Sequence, residues 1–262
     1  MFRSLYTAAS GMTAQQTNLD NVANNLSNAN TAGFRKRRVQ FQDLVYQNMV
    51  TPGAAATQQT VSAGLQIGLG TRAAATEILQ SQGDFQQTGN TLDLAIQGLG
   101  YFQVLTPNGQ IAYTRSGSFH LDAQGNIVTS DGDALQPAIT IPANATAITI
   151  GADGTVSITQ PNQTQSQQIG QIQLATFPNP GGLNSVGANL LLPTSSSGDP
   201  IVGTPGGSDG LGTLIQGSLE QSNVNTVEEF IQMILAQRSY EANSQVAKAA
   251  DQMFQEVNQL GK

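Results

Sequence analysis

The chain has 262 residues and a formal net charge of −7, with only 10% charged side chains, no cysteine and no tryptophan. An acidic, charge-poor balance excludes binding to nucleic acid or to an anionic membrane through bulk electrostatics, and the lack of cysteine excludes a disulfide scaffold, thiol catalysis and a thiolate zinc site. No stretch approaches the roughly 20 apolar residues of a membrane span, and the first residues lack the basic region and apolar run of a cleavable secretory signal.

Along the chain, Leu5, Met12, Leu19 and Leu26 come first, recurring at seven-residue intervals and predicting a helix with a coiled-coil stripe. Residues 1–30 carry only Arg3 and Asp20 as charges and are otherwise rich in amides and small side chains, a surface made for contact with protein more than with water. Turn formers from Ser27 onward end the helix, with Gly33 available for a left-handed cap. Arg35–Arg38 is the one dense charge cluster and reads as a solvated turn or a contact to an acidic neighbour. Residues 51–64 have no period and almost no bulky side chains, which predicts a long loop or a surface that orders on assembly.

From about residue 65 to 215, short β-prone runs such as Tyr101–Leu105 alternate with turn signals at Pro107–Gly109, Asp131–Asp133 and Asp153–Gly154, the pattern of hairpins in a barrel or sandwich. Residues 193–213 are rich in Ser, Gly and Pro and read as a loop. The last helix begins near Asn225 or Thr226, where Glu228 and Glu229 favour the first turn, and its stripe runs through Leu235, Val246, Met253 and Leu260.

The predicted fold class is therefore α+β: long N- and C-terminal helices pairing as a coiled coil, with a mainly β, barrel- or sandwich-like domain inserted between them. The expected boundaries are 1–34 and 216–262 for the helical core, 35–70 for an extended linker and 71–215 for the β-rich domain. Rods of this length expose more seam than one partner covers, which points to self-assembly, and a lone seam without its burial term should be mobile until copies arrive.

The inventory for catalysis is thin. His120 is the only histidine; a Ser/His/Asp trio could be drawn from Ser116–Asp122, but adjacent residues on a strand point to opposite faces, so the spacing does not place them in mutual reach, and His120 reads as a strand-surface residue. Gly98–Gly100 opens like a dinucleotide fingerprint but continues into strand with Gln103 at the third glycine position. Asp131–Asp133 and Asp153 lack the ligand ladder of a calcium loop. No catalytic, cofactor or metal residues are assigned.

Four long motifs carry a family resemblance. Asn21–Phe34, with Asn21, Asn24, Asn25, Leu26, Gly33 and Phe34 as its marked positions, resembles the N-terminal motif of the flagellar rod and hook axial proteins. Ser81–Phe102, Tyr113–Asn126 and Ser222–Asn243 are similar to their second, third and C-terminal motifs. Length and the Leu65–Arg72 segment favour the distal-rod branch over the hook, and Tyr46–Ala63 resembles the stretch associated there with a straight, stiff tube. The resemblance implies a non-enzymatic subunit without cofactors, exported through the flagellar type III apparatus and polymerised in the periplasm-spanning basal-body rod. Expected partners are copies of itself, the other rod proteins, the hook protein and the ring proteins that act as a bushing. Neither nucleic acid nor membrane insertion is implied. It also gives Leu5, Met12, Leu19, Leu26, Leu235, Val246, Met253 and Leu260 a role in self-assembly seams. Alternatives are another axial protein, a peptidoglycan-acting domain or a carbohydrate-binding β module.

Overall fold

The first helix, α1, spans Phe2–Ser27, and the second, α2, spans Thr226–Leu260. The computed structural model describes residues 2–50, 55–56, 59–60, 64–161, 165–207 and 210–260. The start of α2 follows from its cap: the Asn225 side-chain oxygen accepts from the Val227 amide at 3.0 Å and the Glu228 amide at 3.4 Å. A cap of this kind is worth about 1 kcal/mol, and the two acids behind it face the positive end of the helix dipole. Beyond α1 the chain turns through Asn28–Thr31 and passes Gly33 at φ +70°, which a side chain would resist.

The chain forms two compact units. One comprises Met1–Ser27, Arg37–Glu77 and Asn225–Lys262; the other comprises Asn28–Lys36 and Ile78–Val224. In the first, α1 and α2 pack against each other. Asn25 meets Glu229 and Gly11 meets Asn243, so position falls on one helix as it rises on the other and the pair is antiparallel. Arg37–Asp43 pairs with Thr71–Ile78, and Tyr46–Val50 pairs antiparallel with Leu65–Gly68. The stretch expected as a loop between those last two strands contains a short ladder, Ala55–Ala56 with Gln59–Thr60. Its residues 51–54, 57–58 and 61–63 lie outside the described residues.

The second unit is built around the strand Tyr101–Leu105, which pairs antiparallel with Ile111–Thr114, Ala134–Gln136 and Leu174–Thr176. Phe102 and Val104 face the main core with Leu94, Ile96, Phe119, Ile127, Leu135, Ile158, Ile172 and Leu174, and the Phe102 and Phe119 rings meet edge to face at 5.1 Å. Tyr101 faces the other way, where Tyr113 and Phe177 form a second cluster with ring centroids 4.8 Å apart. Covering both faces explains why this strand reads as a continuous run instead of an alternation. A three-stranded sheet, Ala147–Ile150, Thr155–Thr159 and Gln167–Gln171, completes the core with Ile150, Val156 and Ile158. Within the Ser, Gly and Pro-rich stretch expected as a loop, Ile201–Gly203 forms a strand against Leu174–Thr176. Its two β-branched residues suffice where a partner edge is waiting.

Candidate functional site

The α1–α2 seam is made of small and amide side chains. Ala8, Ala14, Val22 and Asn25 on α1 are buried, as are Glu229, Ala236 and Ala250 on α2. A Cβ at Gly11 would lie 2.8 Å from the Asn243 side-chain amide nitrogen, so that amide occupies the space a side chain at Gly11 would need. A buried contact holds the register, the Asn25 amide donating to a Glu229 carboxylate oxygen at 3.1 Å. A single buried polar pair of this type penalises shifted alignments of two helices. The same Asn25 amide donates to the Arg37 carbonyl at 2.8 Å and accepts from the Arg37 amide at 3.0 Å, while Asn21 donates to that carbonyl at 2.8 Å. Two of the motif asparagines thus fasten the first strand to α1.

The apolar stripes read from the sequence fall one position away from this seam. Leu5, Met12, Leu19 and Leu26 are half-buried, whereas Leu235, Val246 and Met253 are exposed. The side chain of Leu260 lies outside the described residues. One residue is a rotation of about 100° on a helix, so the bulky stripe lies beside the small-residue seam and not within it. The reason is steric: Gly11 against Asn243 needs slim neighbours, and leucines at those positions would hold the helices apart. A seam of alanines and amides leaves little signal for a search by hydrophobic periodicity, but the spacing Ala8, Gly11, Gln15, Asn18, Val22, Asn25 carries it.

Opposite its buried face, α2 presents a second apolar face. Val227, Phe230, Ile231, Ile234 and Leu235 are all more than half exposed, with Val227 at 66%. Their spacing places them on one side of the first three turns, while Glu229 and Ala236 point to α1. A helix that packs one face on a partner and presents an apolar face on the opposite side has more surface to bury than that partner covers. The two-stranded ribbon in this unit also exposes Val45, Tyr46, Met49, Val50 and Leu65, and a ribbon of two strands is marginal in water without cover.

The remaining motifs converge on a buried charge cluster in the β unit. Glu220, 2% exposed, sits between two guanidinium groups: Arg115 at 2.6 Å and Arg35 at 2.8 Å. Arg115 spends its other donors on the carbonyls of Ile96, Gly98 and Gly100. Arg35 also donates to the Ser81 carbonyl, and burial pushes its guanidinium below the usual value, with Glu220 opposing that shift. Burial likewise raises the Tyr101 phenol, whose hydroxyl donates to Gln80 at 2.9 Å. Gly33 enters against this cluster, its amide donating to the Glu220 carbonyl at 2.8 Å, and a Cβ there would lie 2.6 Å from the Arg115 carbonyl carbon. Phe34 is half-buried just beyond, and Asn24 lies on the exposed side of α1. Of the two readings of its basic cluster, a solvated turn or a contact to an acidic neighbour, Arg35 takes the second: Glu220 supplies the acidic neighbour from a distant segment.

The features weighed for catalysis are accounted for structurally. His120 is exposed on a strand paired with Val128. Gly98 and Gly100 carry positive φ at the turn whose carbonyls receive Arg115. A cleft of about 440 Å³ includes Asp131 and Asp133 in its lining but no histidine, and Asp133 closes its own turn through Thr129. Among the described residues no group of three or more His, Asp or Glu could hold a metal ion, and no helix is long and apolar enough to cross a membrane.

Comparison with known proteins matches three family models in chain order. Residues 5–35 match "Flagella basal body rod protein", residues 95–158 match "Flagellar hook protein FlgE/F/G D1 domain", and residues 215–260 match "Flagellar basal body rod FlgEFG protein C-terminal". The chain is 47% identical to the flagellar basal-body rod protein FlgG of Caulobacter vibrioides, with 98% of this chain and 99% of the relative covered. Similar proteins carry the same name in Borreliella burgdorferi, at 46% identity, and Bacillus subtilis, at 42%, each with 99% of both chains covered.

Proposed function

The chain belongs to the flagellar basal-body rod protein family, and from that premise we propose that it polymerises as the distal rod, a helical tube that surrounds the export channel and carries torque from motor to hook. It is a structural subunit of the flagellar basal-body rod and not an enzyme. The observation that carries the polymer reading is a pair of opposed faces on α2: one, of small and polar side chains, is spent on α1, and the apolar other, Val227 to Leu235, remains exposed. Faces of this kind are covered by further protein, and contacts between two different patches on successive copies build open helical assemblies.

In this reading Leu5, Met12, Leu19 and Leu26 join Leu235, Val246, Met253 and Leu260 in seams between copies. The other rod proteins and the hook protein meet the ends of the tube, the ring proteins surround it, and the subunit reaches the periplasm through the type III export apparatus. The domain boundaries 1–34 and 216–262 then describe the inner tube, 35–70 the segment that stiffens it, and 71–215 the part facing the rings.

The test is electron microscopy of basal bodies from a strain lacking the gene, complemented either by the native chain or by Ile231→Asp. A rod that ends before the outer ring and carries no hook is expected for the deletion and for the variant. A complete rod and hook with Ile231→Asp, at native protein levels, would overturn the assignment of that face.

A further inference from the structure

The chain crosses between its two units at four places: Ser27 to Asn28, Lys36 to Arg37, Glu77 to Ile78, and Val224 to Asn225. On the β-unit side, each crossing is tied within a few residues to the same buried cluster. After the first, the Gly33 amide donates to the Glu220 carbonyl at 2.8 Å. Before the second, Arg35 pairs with the Glu220 carboxylate, and the Lys36 amide donates to the Asn223 side chain at 2.6 Å. After the third, the Leu79 amide donates to the Lys36 carbonyl at 2.9 Å, the Asn223 side chain donates to the Leu79 and Ser81 carbonyls, and the Gly83 amide reaches Glu220 at 3.1 Å. The fourth crossing is the segment that carries Glu220 and Asn223 themselves. Arg115, next to the strand Ile111–Thr114, ties the whole to the strand and turn of Ile96, Gly98 and Gly100 through three carbonyls.

We propose that the cluster of Glu220, Arg35, Arg115 and Asn223 is a gathering device that binds the ends of all four crossings into one cooperative element. A pull or twist applied to the helix pair can reach the β unit along the chain only through these four crossings. Separate crossings would let the most strained one yield alone; gathered crossings share the strain, because none opens without disturbing buried charges that the others hold. The mechanical use rests on the reading of the chain as a torque-carrying rod subunit, whereas the cooperativity is a property of the fold and is tested without reference to rotation.

Amide hydrogen exchange on the full-length monomer makes that test. In the native chain the amides of Gly33, Lys36, Leu79 and Gly83, which come from separate segments, should open with one common exchange protection. Asn223→Ala removes the acceptor of the Lys36 amide and the donor to the Leu79 and Ser81 carbonyls; of the four amides it directly frees only Lys36, yet it should speed all four by the same factor, about tenfold or more. The Phe102 and Val104 amides in the central strand should hold their native rates. Acceleration confined to Lys36 would overturn the proposal. If the variant also frees Phe102 and Val104, the native chain decides alone: protections of the four amides spread over more than about tenfold mean independent crossings and defeat the proposal, since a cooperative element opens as one.

Discussion

The two units of this chain bury different kinds of residue. Among the described residues the buried apolar set of the helical unit is Ala8, Ala14, Val22, Val39, Ala236 and Ala250, all small or of medium size. The β unit buries Phe102, Phe119, Leu94, Ile96, Ile127, Leu135, Ile158, Ile172 and Leu174 to 2% exposure or less, and closes its internal charges on one another. At about 25 cal/mol per Å² of apolar surface the β unit has the means to hold itself together, while the helical unit leaves its bulkiest side chains outside. The difference teaches that the unit with the longest elements is the one least complete on its own. Its large side chains are stocked for contacts that one copy does not make.

The contrast is most easily broken in the β core. Phe102→Ala should cost about 3–5 kcal/mol, read as a shift of the urea midpoint followed by fluorescence of Tyr101 and Tyr113, which both pack near Phe177. A loss under about 1 kcal/mol would mean that this core does not stabilise its own unit. The next largest effect is expected at the helix register. Asn25→Leu strips the Glu229 carboxylate and the Arg37 backbone of their shared partner and should lower helix stability by about 1–3 kcal/mol. Thermal melting at 222 nm would show it.

A smaller effect on the monomer, and a larger one on the assembly, is expected from the exposed face of α2. Ile231→Asp should change monomer stability by no more than about 0.5 kcal/mol, yet leave the protein in the supernatant under conditions where the native chain sediments as polymer. A monomer destabilised by several times that amount would show that the face is internal packing. The smallest effect should come from acid. The Asn126 side chain and amide hold the Asp122 carboxyl below the usual range, the Thr155 hydroxyl and amide do so for Asp153, and Arg38 with Gln40 does so for Glu77. Each folded value lies below the unfolded one, so the stabilisation is present above about pH 4 and fades as pH falls through the depressed values. These groups face solvent and occur in both units, so mild acid should soften both together. Selective melting of one unit above pH 4 would point to a different titrating group.

Much of this was legible in the residues. The end of α1 at Ser27 and the start of α2 at Thr226 are marked by turn formers, a capping asparagine and two acids, because those signals act over one helical turn. The strands around Tyr101–Leu105 are written in β-branched and aromatic runs between turn residues. The phase of the helix seam was harder to read, since periodicity weighs bulk and the closest approach selects Gly11, Ala236 and Ala250 for the lack of it. Nor is there a local trace of the charge cluster: Arg115 and Glu220 are 105 residues apart, and nothing near either one names the other. The basic cluster that opens with Arg35 allowed a contact to an acidic neighbour, but only the fold shows that the neighbour is Glu220 and that Arg35 is the residue that meets it.

The same separation in sequence has a kinetic side. Lys36 and Asn223, which meet in the gathered crossings, stand 187 residues apart, so closure of this element carries a high contact order and belongs late in folding. A chain made or delivered from its N-terminus holds Arg35 and Arg115 for most of its length before their acid arrives. Until then two cations wait at a site meant to be dry, and the polar cost of burying them keeps the site open. Arrival of Glu220 is thus what permits closure, and the fold carries its own signal that this segment has come.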